Sequence, residues 1–544
     1  MAHAAIGLSA ALALGVLPLA AASAQTSVRG VPAERPDQRA APSPAPTPPP
    51  GGLPAARQPD APITPFELDR VYVDGSTLPA ETLAAAYRPF IGKTIDNRAL
   101  ADLTNALAAV YAKSDVALYT VYVPEQKFTA GALRLAVVEG YVNAIEVRGH
   151  LRQNRMKLLR AYVRRLERER PLRTSTFQRI VSLMRDMPGF YPEISLQPGA
   201  TQGAVKLLVN AREKPVQLSL GANDRGTAFL GRTQVQADTY FNALFGGADQ
   251  LRVTGVLPTH VSRFQYVAGA YTTPLDADGT SVTGNLSRLR TRPSAFPLEG
   301  DSTSFGLQFS RPILRSYTRN FYATLGVDGI NSNNALLGFT LSNDRVRAAR
   351  LALAYSTAGK RNQFGASATW SLGLDMLGAR VVPGQAKQSF RKFSVKANDS
   401  LQVGKTFVLR LNAFGQATPD DLPSSEQAAL GGDEFGRAYE GALIAGDTGY
   451  AGSAEFAWQL RSGMPRLLQG SELYGFTDAG HVHYRSRFGQ PGTNSHLASV
   501  GGGARLAIAA RAVVQLELVR GLNNPVFYEN RKKTRLLFSV RSLF

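Results

Sequence analysis

Cysteine is absent from these 544 residues, tryptophan occurs twice and methionine six times. No disulfide is possible, so stability has to come from packing and from sheet closure. Acidic residues are scarce as well: 41 Asp and Glu face 61 Lys and Arg, a net charge of +20. The basic residues are scattered over every region, without the aromatic–basic cluster of a nucleic-acid module, so no nucleic-acid partner is expected. Beyond the first twenty-odd residues no apolar run approaches the roughly 18 residues of a transmembrane helix. Any membrane crossing after that point needs a closed β-barrel. Catalytic patterns are missing too. The GKT triplets at Gly92 and Gly404 lack the upstream glycine of a P-loop, and neither G-x-S-x-G nor HExxH occurs. His481 and His483 would share a face of an extended strand, but no third ligand lies nearby. The expectation is a chain with no enzymatic activity, no metal and no cofactor.

What is present divides the chain, whose length suits two to four domains. Residues 1–24 form a secretory signal whose apolar stretch ends in Ala22-Ser23-Ala24, a small-x-small cleavage pattern. Residues 25–65, centred on SPAPTPPPGG, are a Pro-rich linker that favours extended conformations and builds no core. In residues 66–140, FELDRVYVDG alternates as a strand, and Leu100, Leu103, Leu107 and Val110 follow helical spacing behind Asp96 as N-cap. LYTVYVP and ALRLAVVEG then alternate as two further strands. Residues 141–214 repeat that order with a strongly basic helix over Arg152 to Arg170 and a second helix begun by Thr174. The basic helix suits anionic lipid headgroups, the rim of a barrel, or simply solvent.

From Pro215 to Phe544 the texture changes to segments of about ten residues alternating apolar and polar, separated by Gly, Asn, Asp and Ser. That is the pattern of a transmembrane β-barrel, and about 20 residues per strand and connection gives about 16 strands. In the last segment Leu536, Phe538, Val540 and Phe544 share one face, with Arg535, Arg541 and Leu543 on the other. Within this region the Gly-rich run around residues 431–452 fits neither helix nor strand, so it reads as a loop between two strands. Arg437 in that loop and Asp478 at the end of the next strand are placed to meet as a charge-assisted pair.

These residues resemble the Omp85 superfamily, and within it the two-partner-secretion translocators of the TpsB family. In that family a long loop folds into the barrel lumen with an Arg-centred VRG(Y/F) tip that contacts an F-x-D-x-G motif on a neighbouring strand. Here Phe476, Asp478 and Gly480 supply the second motif, and Arg437 and Tyr439 match the first, while Gly436 and Ala438 replace its Val and Gly. GGADQL, SRPILRS and the stretch from Val121 to Gly140 add to the likeness, and residues 66–140 and 141–214 resemble two POTRA domains. A terminal Phe544 resembles the signal by which barrel assembly machinery recognises its substrates.

The resemblance implies a protein of the outer membrane, in contact with its lipids, with its POTRA domains in the periplasm. Its partner would be a secreted, TpsA-like exoprotein such as a haemolysin or adhesin. That client would be captured unfolded by the POTRA domains and passed through the barrel without nucleotide, with or without being activated. The alternatives are an assembly factor or insertase of the same superfamily, and a passive diffusion pore.

Overall fold

The computed structural model describes residues 56–57, 63–128, 131–149, 151–294, 297–336, 339–460, 465, 468–509, 511–524 and 534–544. The signal segment and most of the Pro-rich linker lie outside these residues.

The first unit is a four-stranded sheet, in the order Ala56–Arg57, Tyr119–Tyr122, Ala132–Glu139, Arg70–Asp74, covered by helices. The helices are α1 (Ala80–Tyr87) and α2 (Asn97–Lys113). Asp96 caps α2 by accepting the N–H of Ala99, and Leu100, Leu103, Leu107 and Tyr111 bury the helix against the sheet. FELDRVYVDG is not one strand. Phe66–Glu67 pairs with Thr94–Ile95, and after Leu68 the backbone changes partner so that Arg70–Asp74 runs parallel to 132–136. The break lets Leu68 point fully into the core.

The second unit pairs Tyr141–Arg148, Ala204–Asn210 and Glu193–Pro198, with helices α3 (Gln153–Glu167) and α4 (Thr174–Arg185) over them. Its strand–helix–helix–strand–strand order repeats that of Arg70–Asp74, α1, α2, Tyr119–Tyr122 and Ala132–Glu139 in the first unit, without that unit's short extra strands.

Sixteen antiparallel strands follow, numbered here on their own. They are β1 (Val216–Asn223), β2 (Gln234–Asn242), β3 (Gln250–Pro258), β4 (Phe264–Pro274), β5 (Ser281–Thr291) and β6 (Leu298–Arg315). Next come β7 (Arg319–Leu336), β8 (Phe339–Ala358), β9 (Asn362–Gly373), β10 (Arg391–Val403) and β11 (Phe407–Ala417). The last are β12 (Thr448–Gln459), β13 (Glu472–Tyr484), β14 (Thr493–Ile508), β15 (Ala512–Gly521) and β16 (Thr534–Leu543). β1 closes on β16 through Ser219↔Leu543 to Asn223↔Ser539, and Phe544 adds a further N–H bond to Leu218 O at 2.8 Å.

Polarity is inverted relative to a water-soluble core. Leu286, Leu325, Val327, Leu372, Phe456, Trp458, Leu518 and Leu536 point outward and are exposed. Thr254, Asp238, Ser287, Gln308, Lys392 and Glu455 are buried on the inner face. Among the described residues no helix is long and apolar enough to cross a membrane, so the strands do the crossing.

The second unit is seated on the rim at which β1 and the other odd-numbered strands begin. Arg165 pairs with Asp278 and donates to Ala277 O at 3.2 Å, both in the β4–β5 turn. Arg179 donates to Asp278 O at 2.8 Å and Pro312 O at 2.9 Å, and Arg315 grips Asp186 with two bonds of 2.7 Å. Ala248 and Tyr317 from two other turns join the unit's apolar core. Of the partners open to the basic helix, Arg165 therefore takes the barrel rim, as does Arg152, which donates to Ala243 O of the β2–β3 turn. The hydrogen bond from Arg165 holds the Asp278 carboxyl below its ordinary range. Its contribution to docking is complete above about pH 4, and is lost as pH falls through the lowered value.

Replacing Arg165 and Arg179 together by alanine should speed amide exchange in α3 and in residues 276–280, with the barrel still folded. Unchanged exchange would show that apolar packing alone seats the unit.

Candidate functional site

Strand β11 ends at the mouth opposite the two N-terminal units, and the chain then turns back into the bore as residues 418–447. The loop is longer than the Gly-rich run, and it ends earlier. It begins at Thr418, while Thr448 to Gly452 already belong to β12, where they pair with β13 and, from Gly449, with β11. Inside it, Ala428–Leu430 and Ile444–Gly446 form a small hairpin. Only Pro419 and Asp433 of the loop are exposed. Leu430, Phe435, Ala438, Tyr439 and Ile444 pack on Phe414, Tyr474, Phe476, Leu497, Val519 and Leu537 of the wall. An apolar pad of this kind on the inner face of a polar bore holds the loop by burial.

The tip depends on Gly436. Its φ of +79° is left-handed, and a Cβ there would lie 2.7 Å from Leu497 Cδ1. The conformation turns two successive amides toward β13. Spacing of two along that strand puts Phe476, Asp478 and Gly480 all on the inner face. Asp478 Oδ1 accepts the Gly436 N–H at 2.8 Å and the Ser499 hydroxyl at 2.6 Å, while Oδ2 accepts the Arg437 N–H at 3.2 Å. Gly480 leaves room for the hairpin, since a Cβ there would come 2.5 Å from Leu430 Cδ1. Tyr439 places its hydroxyl 2.9 Å from Ala498 O and 2.8 Å from Asn523 O.

The expected Arg437–Asp478 ion pair does not form. Both Asp478 oxygens are occupied by the tip amides and Ser499, so the aspartate holds the backbone. The guanidinium instead passes over the Phe476 ring, 4.2 Å from its centroid, to Glu455 at 2.8 Å and Glu517 at 3.2 Å. Those carboxylates belong to a larger cluster. Arg505 bonds Glu455 at 2.7 Å and Glu472 at 2.6 Å, and Arg410 bonds Glu455 at 2.9 Å and Glu472 at 2.7 Å. Arg225 pairs with Glu517 and, at 3.1 Å, with Asp433 of the loop. Four arginines thus meet four carboxylates, and the cluster is neutral.

Sequence reasoning found the tip and the F-x-D-x-G strand but missed Glu455, Glu472, Glu517, Arg410 and Arg505. The available signal was parity: each is a charge at an inward position of a strand whose alternate, outward positions are mostly apolar or small. His481 and His483 do not converge on anything. His481 stacks on Tyr450, His483 bonds Asn494, and among the described residues no three His, Asp or Glu could hold a metal. Phe544 sits at the barrel seam, at the end of its last strand.

The family model of the haemolysin secretion/activation proteins ShlB/FhaC/HecB matches residues 204–506, more than half of the chain. The chain belongs to this family. A ShlB-type POTRA domain matches residues 66–140, which makes the first unit a POTRA domain. The outer membrane transporter CdiB of Escherichia coli O6:K15:H31 is 24% identical over 425 residues, 73% of this chain and 70% of that protein. The structure of CdiB from Escherichia coli matches with a TM-score of 0.71 at 20% identity, covering 91% of this chain and 94% of that one. BamA from Haemophilus ducreyi lacking POTRA domains 1–3 matches with a TM-score of 0.54 at 14% identity, covering 88% and 100%. At these identities the structural likenesses establish the fold. Family membership makes this a TpsB-type translocator of the Omp85 superfamily, a class that secretes exoproteins. Its barrel lies in the outer membrane and its POTRA domain in the periplasm.

The two holds on the tip can be separated. Arg437→Ala should leave the Gly436 and Arg437 amides slow to exchange, because Asp478 still accepts them. Asp478→Ala removes two backbone bonds to a charged acceptor, each on the order of 1.5–3 kcal/mol, and should make the same amides exchange fast. Equal behaviour of the two variants would contradict this division of labour.

Proposed function

We propose that this protein exports one large, unfolded exoprotein from the periplasm to the cell surface. The observation that carries the reading is a loop that enters the bore from the outer mouth and is tied to its wall by buried charge. A bore arranged in this way needs a cargo large enough to repay moving the loop.

On this reading residues 141–214 form a second POTRA domain. Among the described residues its Glu193–Pro198 strand pairs on one side only, as does Arg70–Asp74 in the first domain. The unpaired N–H and C=O groups of such edges take up an extended chain by strand addition, which suits a client that arrives unfolded. The second domain's seat on the rim holds that captured chain at the entrance. Release of Arg437 from Glu455 and Glu517, and of the tip amides from Asp478, then clears the passage. Folding of the client outside makes return unfavourable, so no nucleotide, metal or cofactor is required. The terminal Phe544 would serve earlier, in recognition by the barrel assembly machinery.

Comparing proteins in the medium and in the outer membrane, with and without this gene, tests the assignment. Loss of one or two large proteins from the medium, with other barrels unchanged, is the expected result. A general fall in outer-membrane barrels would replace export with barrel assembly, and no change would favour a diffusion pore. In the same assay Arg437→Ala should assemble normally, but with a loop that no longer has one defined seat to leave and return to it should reduce export several-fold, on the order of the tenfold change that 1.4 kcal/mol represents.

A further inference from the structure

The tip is not the loop's only hold on the wall. Ahead of it, Glu426 is completely buried. Glu426 Oε1 accepts from Arg350 at 2.8 Å, and Oε2 accepts from Lys392 at 2.6 Å and from Arg350 at 3.2 Å. Its carbonyl accepts from Gln416 at 3.0 Å and Lys392 at 3.3 Å. Arg350 is itself fixed by two bonds to Asp328, at 2.6 and 3.0 Å, and by one to Ser371 at 2.7 Å. Two cations therefore meet two carboxylates, and this cluster is also neutral.

The two clusters occupy different parts of the wall. Asp328, Arg350, Ser371, Lys392 and Gln416 stand on β7, β8, β9, β10 and β11. Glu455, Asp478, Ser499 and Glu517 stand on β12, β13, β14 and β15. Around the sixteen-strand ring Arg350 on β8 and Glu517 on β15 are nearly opposite each other. The chain between Glu426 and Arg437 thus passes along the wall, from the β8–β11 side, past Gly449 and Gly480 against which Ala428 and Leu430 pack, to the β12–β15 side.

We propose that Glu426, Arg350 and Lys392 form a second latch, so that the loop is fixed to the lumen wall at two separate points. These are positioning residues for translocation, and both points release before a chain can pass. The proposal rests on the reading of the loop as the element that moves. It adds that freeing the tip alone leaves the first part of the loop held inside the bore.

The test uses the full-length protein in planar lipid bilayers, with assembly checked by heat-modifiable electrophoretic mobility. Glu426→Gln keeps the side chain's shape and removes its charge, and Arg437→Ala weakens the other point. Each should raise the open fraction roughly tenfold or more, the scale expected when one partner of a buried ion pair is removed. The double variant should exceed either. Lys392→Met, which leaves the Arg350 pair in place, should give a smaller rise and serves if Glu426→Gln fails to assemble. Amide exchange should quicken over residues 424–430 in Glu426→Gln while the Gly436 and Arg437 amides stay slow, a separation that general destabilisation would not give. An open Arg437→Ala beside silent Glu426→Gln and Lys392→Met would overturn the second latch. If none of the variants opens, the loop is not the barrier and the reading beneath the proposal fails with it.

Discussion

Every backbone N–H and C=O that crosses a bilayer has to find its partner within the protein, and that requirement organises this chain. Strands meet it only by closing, so β1 must return to β16. Closure in turn separates an outer face that meets lipid from an inner face that does not. On the inner face a charged residue costs little while water or a counter-charge is at hand. Buried arginines and glutamates could not be held there if the sheet were an open one packed on an apolar core. The lumen clusters are a consequence of the topology that surrounds them.

Those clusters are better suited to fixing a position than to adding stability. A buried ion pair returns in Coulomb energy about what it loses in desolvation, whereas removing one partner costs about 3–5 kcal/mol. A loop tied in this manner has one well-defined seat. Leaving that seat as a unit, into a bore that water can enter, costs far less than losing a single charge. The apolar pad around Phe435, Tyr439 and Ile444 supplies burial, and Asp478 fixes the backbone that the guanidinium extends from. Docking of the second unit repeats the logic at the rim, where Arg315 holds Asp186 in a two-bond grip.

Much of this was legible in the residues. Alternation over Thr534 to Phe544, or over Phe476, Asp478 and Gly480, fixes which side chains face inward, because a strand has no other period. Asp96 before an apolar-periodic segment marks a helix start for equally local reasons. The failures were all long-range. Parity places Glu455, Glu517 and Asp478 on the inner wall, but it does not say which of them the arginine reaches. That choice depends on Gly436 turning two amides to Asp478 first. Thr418 to Glu426 lies outside the Gly-rich run that marked the loop at 431–452, while in the structure Arg350, Arg391 and Arg487 hold that segment. The Phe66 to Gly75 segment likewise looks continuous, and only the competing partners at Thr94 and Ala132 divide it.

The central claim is that an exported chain passes through this lumen. Placing a photo-crosslinking residue at Asn412, which faces inward on β11, and separately at Leu411, which faces lipid, tests it during active secretion. The account predicts a covalent adduct between position 412 and a secreted protein, and none from position 411. Adducts confined to the periplasmic domains, with neither barrel position labelled, would contradict it.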